Sequence, residues 1–437
     1  MNFEEARSYL LSLGNEVSAM KLGLESMTRL LHALGDPHDE YLKVQVAGTN
    51  GKGSVCAFLE AICREAGIKV GLTTSPHLIS ITERVRVGGE NIIEARFADL
   101  ATRVRAVAED LVVAGELETV PTYFEQVTAI ALLSFAEAKV ELAILETGLG
   151  GRLDATTAAN AEIVVITRID LDHQQYLGET IEAIAAEKAA IITDQTRDVV
   201  IGQQTRPVMA LLRKKCRELG IEPLNDEYSP WRVLPSDGDK VKLDLSMICW
   251  SPITLGLKGR HQTENAQTAI QAVKALIYDG TFPAGEDGEF HVVEGLQKAR
   301  HPGRLEFQGR YLFDGAHNVG GAKALRAYLD EFIDKPITMI FGAMRDKDVS
   351  EIAEILFPTA ATLILTRPNN ERAMIVDELE TIAREILDKS TIIKTLSVDE
   401  ALAKAKLLSE KCNIILVTGS LYLVGEAQQI LKQSSEI

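Results

Sequence analysis

The sequence predicts an α/β protein of two domains, built mainly on parallel sheet. Three observations lead there. At 437 residues the chain exceeds the ~250–300 residues at which a single core stops growing. Its dominant rhythm is a short apolar strand, a glycine-containing turn and an amphipathic helix, the pattern of a parallel sheet covered on both faces. That rhythm lapses after about residue 197 and restarts near ARHPGRLEFQGR, which puts a domain boundary near residue 299, with one domain over 1–298 and a second over 299–437.

The first domain takes its strands from YLKVQVAGTNGKGSVCAFLEAICREAG, IKVGLTTSPHL, VELAILETGLGG and AEIVVITRIDLDH. Ligands of such sheets sit at the carboxyl ends of the strands, so the residues after each strand carry the chemistry. Between about 197 and 258, KVKLDLSMICW and ITLGL read as further strands, and HQTENAQTAIQAVKALI reads as a helix. TFPAGEDGEF, rich in Gly, Pro and acid, reads as a surface loop. Beyond the boundary, RYLFDGAHN, ITMIFGAMRDKD, TLILTRPNNERA and NIILVTGS are four more strand-then-loop units.

Composition narrows the partners. Apolar residues make up 46% and charged residues 25%, enough apolar surface for a packed core. A formal charge of −17 repels phosphate backbones and anionic membranes, so neither nucleic acid nor a membrane is the expected partner. The start, MNFEEARSYL, lacks a secretory apolar run, and the longest apolar stretches are strand-sized. Five cysteines, Cys56, Cys63, Cys216, Cys249 and Cys412, form no C-x-x-C pair and suit a reducing compartment, so a cytoplasmic protein is expected.

The strongest motif is VQVAGTNGKGS, residues 44–54. A buried strand enters a glycine-dense turn and then a helix starting at about Gly53. Gly48, Gly51 and Gly53 let backbone N–H groups approach phosphate oxygens, and the helix N-terminus adds a favourable field. Lys52 supplies a point charge for terminal phosphates and Ser54 a hydroxyl for phosphate or metal. The pattern departs from G-x-x-x-x-G-K-[ST] in having Val46 at the first glycine and Gly53 between Lys52 and Ser54.

Further strand tips add to it. Glu146 ends Val140–Leu145, where nucleotide enzymes hold Mg²⁺, a cation that prefers oxygen ligands. IVVITRIDLDH delivers Asp170, Asp172 and His173, and TTSPHL delivers Ser75 and His77. In the second half HPGRLEF, FDGAHN and FGAMRDKD bring Arg304, Asp314 with His317, and Asp346 to Asp348. Arg suits a phosphate and Asp a ribose hydroxyl, although each taken singly also fits ordinary turn chemistry.

Taken together the motifs resemble the Mur ligase superfamily, and within it the folylpolyglutamate synthase/dihydrofolate synthase family. The resemblance runs in family order through LGLE (22–25), GTNGKGS (48–54), SPHL (75–78), ERVRV (83–87), ETGLGGRLDAT (146–156), LDH (171–173), EKAAI (187–191), HQTENA (261–266), PGRLE (302–306), DGAHN (314–318), GAMRDKD (342–348) and TGSLYLVGE (418–426). It implies a P-loop ATPase domain followed by a Rossmann-like α/β domain that brings the incoming amino acid. The implied reaction is phosphorylation of a carboxylate by ATP, then attack by the amine of L-glutamate on the acyl phosphate of a folate or dihydropteroate. An acyl phosphate must be kept from water, a use for domains that close.

Carried over by position, the resemblance implies that Gly51, Lys52, Gly53, Ser54, Asn265, Arg304 and Asp314 bind ATP. Ser75, Glu146 and His173 would hold Mg²⁺, two ions in all, and Lys52, Glu146, His173 and Lys188 would be catalytic. Leu22, Gly23, Thr122, Tyr123, Phe124, Asp154 and Ala155 would form the pteroyl pocket, and His317 and Ser420 would meet glutamate. Lys188 in EKAAI matches a lysine that the family carbamoylates. An ammonium beside Mg²⁺ is repelled, whereas a carbamate is an anionic oxygen ligand. The expected state is a monomer. Three positions depart from the family: His301 where Trp is common, Val319 where Pro follows DGAHN, and Tyr123 where Phe is frequent.

The alternative within the enzyme class is another Mur-type amide ligase acting on a different carboxylate. Such enzymes carry a UDP-sugar-binding domain ahead of the P-loop, and only 47 residues precede Gly48 in this sequence. From another class, a P-loop switch without ligase chemistry has no use for the DGAHN, DKD and TGS motifs.

Overall fold

The computed structural model describes residues 1–14, 23–224, 232–234, 241–244, 252–387, 391–410 and 413–434. Leu22, Cys412 and all of SMICW, Cys249 included, lie outside those residues. The chain forms two compact units, Met1–Pro230 with Glu264–Ala299, and Trp231–Thr263 with Arg300–Ile437. The segment 231–263, expected with the first domain, thus belongs to the second unit, and so the chain passes between units at 230/231, 263/264 and 299/300. Among the described residues no helix is long and apolar enough to cross a membrane.

The first unit is built on seven strands: β1 (Leu42–Ala47), β2 (Val70–Thr73), β3 (Arg86–Val87), β4 (Glu90–Asn91), β5 (Leu142–Glu146), β6 (Ile163–Ile166) and β7 (Asp198–Ile201). Their order is β4-β3-β2-β5-β1-β6-β7. β2, β5, β1, β6 and β7 are parallel, and β3 and β4 are an antiparallel hairpin on one edge. β5, β1, β6 and β2 are buried nearly throughout, as strands covered on both faces must be.

Strand order and right-handed crossovers divide the helices between the faces. The chain moves one way from β1 to β2, so helix Lys52–Glu65 covers one face, and helix Gly285–Lys298 packs on it. It moves the other way from β2 to β5, β6 and β7, which sends Glu94–Val113, Tyr123–Ala138 and Ile181–Ala189 to the opposite face. That face holds two apolar clusters, one around β5 and one around β6 and β7. Gln45 stands between Leu145 and Val164 in register, buried on the line that separates them. Its amide nitrogen reaches the hydroxyls of Thr156 and Thr157 at 2.9 Å each and of Thr147 at 3.3 Å, so the polar group is satisfied where it is buried.

GEDGEF is a correction. Expected as loop, it opens helix Gly285–Lys298. Glu286 and Asp287 lie in the first turn, where acid favours the positive helix end, and the composition that suits a loop also suits that position. Further along, a Cβ on Gly295 would lie 2.4 Å from the Cα of Ile62, so the helix pair approaches closely only because that residue is glycine.

The second unit carries β8 (Arg232–Leu234), β9 (Lys242–Asp244) and β10 (Ile253–Thr254) in a small antiparallel sheet of order β10-β9-β8. Its main sheet joins β11 (Glu306–Gln308), β12 (Tyr311–Asp314), β13 (Ile337–Phe341), β14 (Ala360–Leu365), β15 (Thr391–Lys394) and β16 (Ile414–Thr418) in the order β11-β12-β16-β13-β14-β15. Every pairing in it is parallel except β11 with β12. Leu312, Leu416, Met339, Phe341 and Leu363 centre its core.

Candidate active site

The glycine turn after β1 is held from β6. Thr49 and Asn50 donate backbone N–H groups to the Arg168 carbonyl at 2.8 and 3.1 Å, and the Asn50 amide donates to Asp170 Oδ2 at 3.0 Å. Thr167 donates its hydroxyl to the Asn50 carbonyl at 2.8 Å. Gly48 has φ +152° and a Cβ there would stand 1.9 Å from Thr167 Oγ1, so only glycine lets the strand tips approach. Gly51 caps helix Lys52–Glu65 at φ 90°, and a Cβ on it would lie 2.3 Å from Asn265 Oδ1. The structure therefore brings Asn265 against the turn that carries Gly51, Lys52, Gly53 and Ser54, with Ser54 buried in the first turn of the helix.

Two lysines converge on one carbonyl. Lys52 Nζ donates to the Gly48 carbonyl at 3.1 Å and Lys188 Nζ donates to the same oxygen at 2.9 Å. Lys188 is 5% exposed, and burial, reinforced by the Lys52 charge, lowers it from 10.5 to about 7. Its neighbour Glu187 is engaged elsewhere, accepting from Arg152 Nε at 2.9 Å. The backbone N–H of Arg152 also donates to the Glu187 carbonyl, and a Cβ on Gly151 would lie 3.0 Å from Lys188 Cα. The ETGLGG loop is thereby fastened to the helix that presents Lys188.

Glu146 ends β5 as a buried carboxylate and accepts the Ser75 backbone N–H at 3.1 Å. His173 follows β6 in the left-handed region, φ 52°, with its N–H on Asp172 Oδ1 at 2.8 Å. A non-glycine residue in that region is uncommon and marks a position fixed by its surroundings. Among the described residues no three His, Cys, Asp or Glu side chains form a metal-holding group. Of the three expected ligands the structure ties Ser75 to Glu146 through the Ser75 N–H, and a carboxylate and a hydroxyl are oxygen donors of the kind Mg²⁺ takes, with water and phosphate completing its shell.

The residues expected to line a pteroyl pocket divide into supports and surface. Thr122 caps helix Tyr123–Ala138 in a reciprocal box with Glu125, and Tyr123 is buried in the core. Asp154 is a buried loop organiser: its carboxylate accepts the N–H groups of Gly148 and Leu149 at 2.9 Å each and of Thr156 at 3.0 Å. Burial raises its pKa against those hydrogen bonds. Ala155 is buried beside it. Phe124 is partly buried, as is Thr122, and its ring lies against Gly148, where a Cβ would come within 2.6 Å of Cζ. Gly23 is in open space at φ +143°.

In the second unit Arg304 and His317 meet at one carbonyl, next in the chain to Asp314. Arg304 Nη1 and His317 Nδ1 both donate to the Gly315 oxygen, at 3.2 and 2.8 Å. Asp314, buried, accepts from the N–H groups of Leu305 and Ala316 at 2.9 Å each. Burial raises its pKa and the Arg304 charge opposes the rise. Ser420 caps helix Leu421–Gln433 next to β16, the strand paired with β12.

Several participants escaped sequence reasoning. Thr167, beneath Gly48, is an unremarked residue in IVVIT, and nothing local marks it. The Lys188–Gly48 contact joins residues 140 apart. The Arg84–His77 pair lies within two recognised motifs, and its signal, an Arg seven residues after a His in one loop, is too common to read.

Residues 46–273 match the Mur ligase middle domain and residues 303–421 match the Mur ligase glutamate ligase domain. A probable bifunctional folylpolyglutamate synthase/dihydropteroate synthase of Halobacterium salinarum is 34% identical over 98% of this chain, which spans 51% of that relative, about half its length. A dihydrofolate synthase/folylpolyglutamate synthase of Bacillus subtilis is 33% identical over 98% of this chain and 99% of its own. A solved Mycobacterium tuberculosis folylpolyglutamate synthase complexed with ADP superposes with a TM-score of 0.88 at 30% identity, covering 98% of both chains. With both Mur ligase domains matched over these residues, and likeness over 98% of the chain at 33% identity, the chain belongs to the folylpolyglutamate synthase/dihydrofolate synthase family of the Mur ligase superfamily.

Proposed function

We propose that the protein is an ATP-dependent ligase that adds L-glutamate to a folate, to dihydropteroate, or to both, through an acyl phosphate. The observation that carries this reading is the meeting of the Lys52 ammonium and the Lys188 amine at the Gly48 carbonyl, within a glycine turn at the carboxyl edge of a parallel sheet. The Lys52 charge and the N–H groups of that turn suit a triphosphate in a chain of net charge −17.

In the proposed reaction an oxygen of the acceptor carboxylate attacks the γ-phosphorus and ADP leaves. The glutamate amine then attacks the acyl carbon, phosphate leaves, and the amine loses a proton. Lys52 balances charge on the transferring phosphoryl group. Gly51, Gly53, Ser54 and Asn265 bind the nucleotide with Arg304 and Asp314, and His317 and Ser420 receive glutamate. Ser75, Glu146 and His173 hold Mg²⁺, which when bound neutralises phosphate charge. Phe124 offers the ring surface for the pterin, while Leu22, Gly23, Thr122, Tyr123, Asp154 and Ala155 shape that pocket.

Lys188 is proposed to work as a carbamate. Its amine, lowered to about 7, is substantially neutral at physiological pH. The lone pair can then add to CO₂ with release of one proton, giving an anion that Lys52 and a metal both favour. A monomer in the cytoplasm completes the proposal.

The test is ATP turnover and amide formation with glutamate and each of dihydropteroate, tetrahydrofolate and a muramoyl precursor. Product with either pteroyl acceptor is expected, and product with the muramoyl precursor alone would overturn the acceptor assignment.

A further inference from the structure

The loop between β2 and β3 contains a histidine that the ligase chemistry above does not use, and the loop goes to some length to fix it. Glu83 accepts the backbone N–H groups of Leu78, Ile79 and Ser80 at 2.8, 2.9 and 2.7 Å, which sets the course of the chain just after His77. Arg84 is buried, donates Nε–H to His77 Nδ1 at 2.8 Å, and holds its guanidinium 5.5 Å from the centre of the Tyr123 ring. A guanidinium has donors only, so Nδ1 of His77 is an acceptor and the ring N–H is on Nε2. A carboxylate and a buried guanidinium thus determine where one imidazole N–H lies.

The surroundings say what that N–H is for. Two residues before His77, Ser75 gives its N–H to Glu146 at 3.1 Å. On the other side the Arg84 guanidinium lies over Tyr123, whose neighbour Phe124 rests against Gly148, two residues past Glu146. His77 is therefore tied to the carboxylate strand tip through its own chain and to the aromatic helix start through Arg84. An acceptor whose flat ring lies at Phe124 and whose carboxylate reaches toward the β5 tip would pass along that interval.

We propose that His77 binds the carboxylate of the pteroyl acceptor through Nε2–H and aligns it for phosphorylation, with Arg84 as the positioning residue that fixes the tautomer. The proposal rests on the ligase reading given above. A nucleophilic carboxylate is best held by a neutral donor on one oxygen, because a full positive charge there would withdraw electron density from the oxygen that must attack phosphorus. The guanidinium of Arg84 is kept one hydrogen bond away and acts through the ring.

The experiment compares the full chain with His77→Ala, His77→Gln and Arg84→Met. It measures kcat and KM for dihydropteroate, tetrahydrofolate and ATP, and ¹⁵N imidazole shifts on histidine-labelled protein. Loss of one hydrogen bond to a charged group is expected to raise the acceptor KM or lower kcat by about tenfold to a hundredfold in His77→Ala, with the ATP KM unchanged. His77→Gln, whose amide N–H reaches toward the Nε2 position, should recover most of that loss. The ¹⁵N shifts should report the Nε2–H form in the parent and a mixture of forms in Arg84→Met. The proposal is overturned if acceptor and ATP KM rise together, if a folded His77→Gln is as poor as His77→Ala, or if the parent ring carries its proton on Nδ1. The shifts need no turnover. A parent chain that makes no amide from either pteroyl acceptor therefore sinks the ligase reading, and the carboxylate role with it, while the tautomer is decided independently.

Discussion

A second lysine beside Lys52 is the residue-scale feature with the widest consequences. Lys52 and Lys188 share the Gly48 carbonyl, and the charge of Lys52 is among the causes that lower Lys188. Lys52→Ala is expected to leave the fold intact and lower kcat by 10²–10³, about 3–4 kcal/mol, as loss of one charge-stabilising contact typically does. ATP turnover at the parent rate in the purified variant would remove the P-loop role. For Lys188 the stability effect has a definite sign. Its pKa falls from 10.5 unfolded to about 7 folded. Between those values the unfolded chain keeps a proton that the folded chain has released, so stability rises with pH across that window. Below it both states are protonated and the buried ammonium exerts its full penalty. Lys188→Met should therefore be more stable than the parent near neutral pH, with the gap closing by about 1.4 kcal/mol per pH unit as pH rises. Urea midpoints in CO₂-free buffer measure this, and a gap independent of pH would contradict it.

At the scale of elements, helix Gly285–Lys298 rests on helix Lys52–Glu65, whose N-terminus forms the glycine turn. A Cβ on Gly295 would lie 2.4 and 2.5 Å from the Cα and N of Ile62, against backbone that cannot swing aside. Gly295→Ala is expected to push the pair apart and destabilise the first unit by about 1–3 kcal/mol, the usual cost of overpacking. An unchanged denaturant midpoint would mean that the helices slide without penalty. The same helix explains why part of the fold was hidden from sequence: Gly, Pro and acid at its start are as typical of a loop as of a helix N-terminus. Packing on Ile62 settles the matter, and packing is not local information.

For the whole molecule, the division of the chain matters more than its length. Because 231–263 belongs to the second unit, a chain ended at Ala299 keeps all of the first unit but strands that segment from its partners. Such a chain should melt below the 437-residue chain and be cleaved by protease first within 231–263. Protection of that segment, at the melting temperature of the 437-residue chain, would show that it is held by the first unit instead.

The sequence by itself determined the α/β class, the strand tips and the glycine turn. These follow from periodicity and from motifs such as 44–54, in which strand, turn and helix start are contiguous. Of the candidate site, residue identities were legible but not their division of labour. Asp154 and Tyr123 are buried, one organising its loop and the other packed in the core, while Phe124 and Thr122 beside them stay partly exposed. Only the tertiary structure decided that Lys188 reaches Gly48 across 140 residues, that Arg84 fixes His77, and that Gln45 is buried between two apolar clusters. Burial, charge proximity and tautomer depend on what the rest of the chain brings alongside, and no window of sequence contains that.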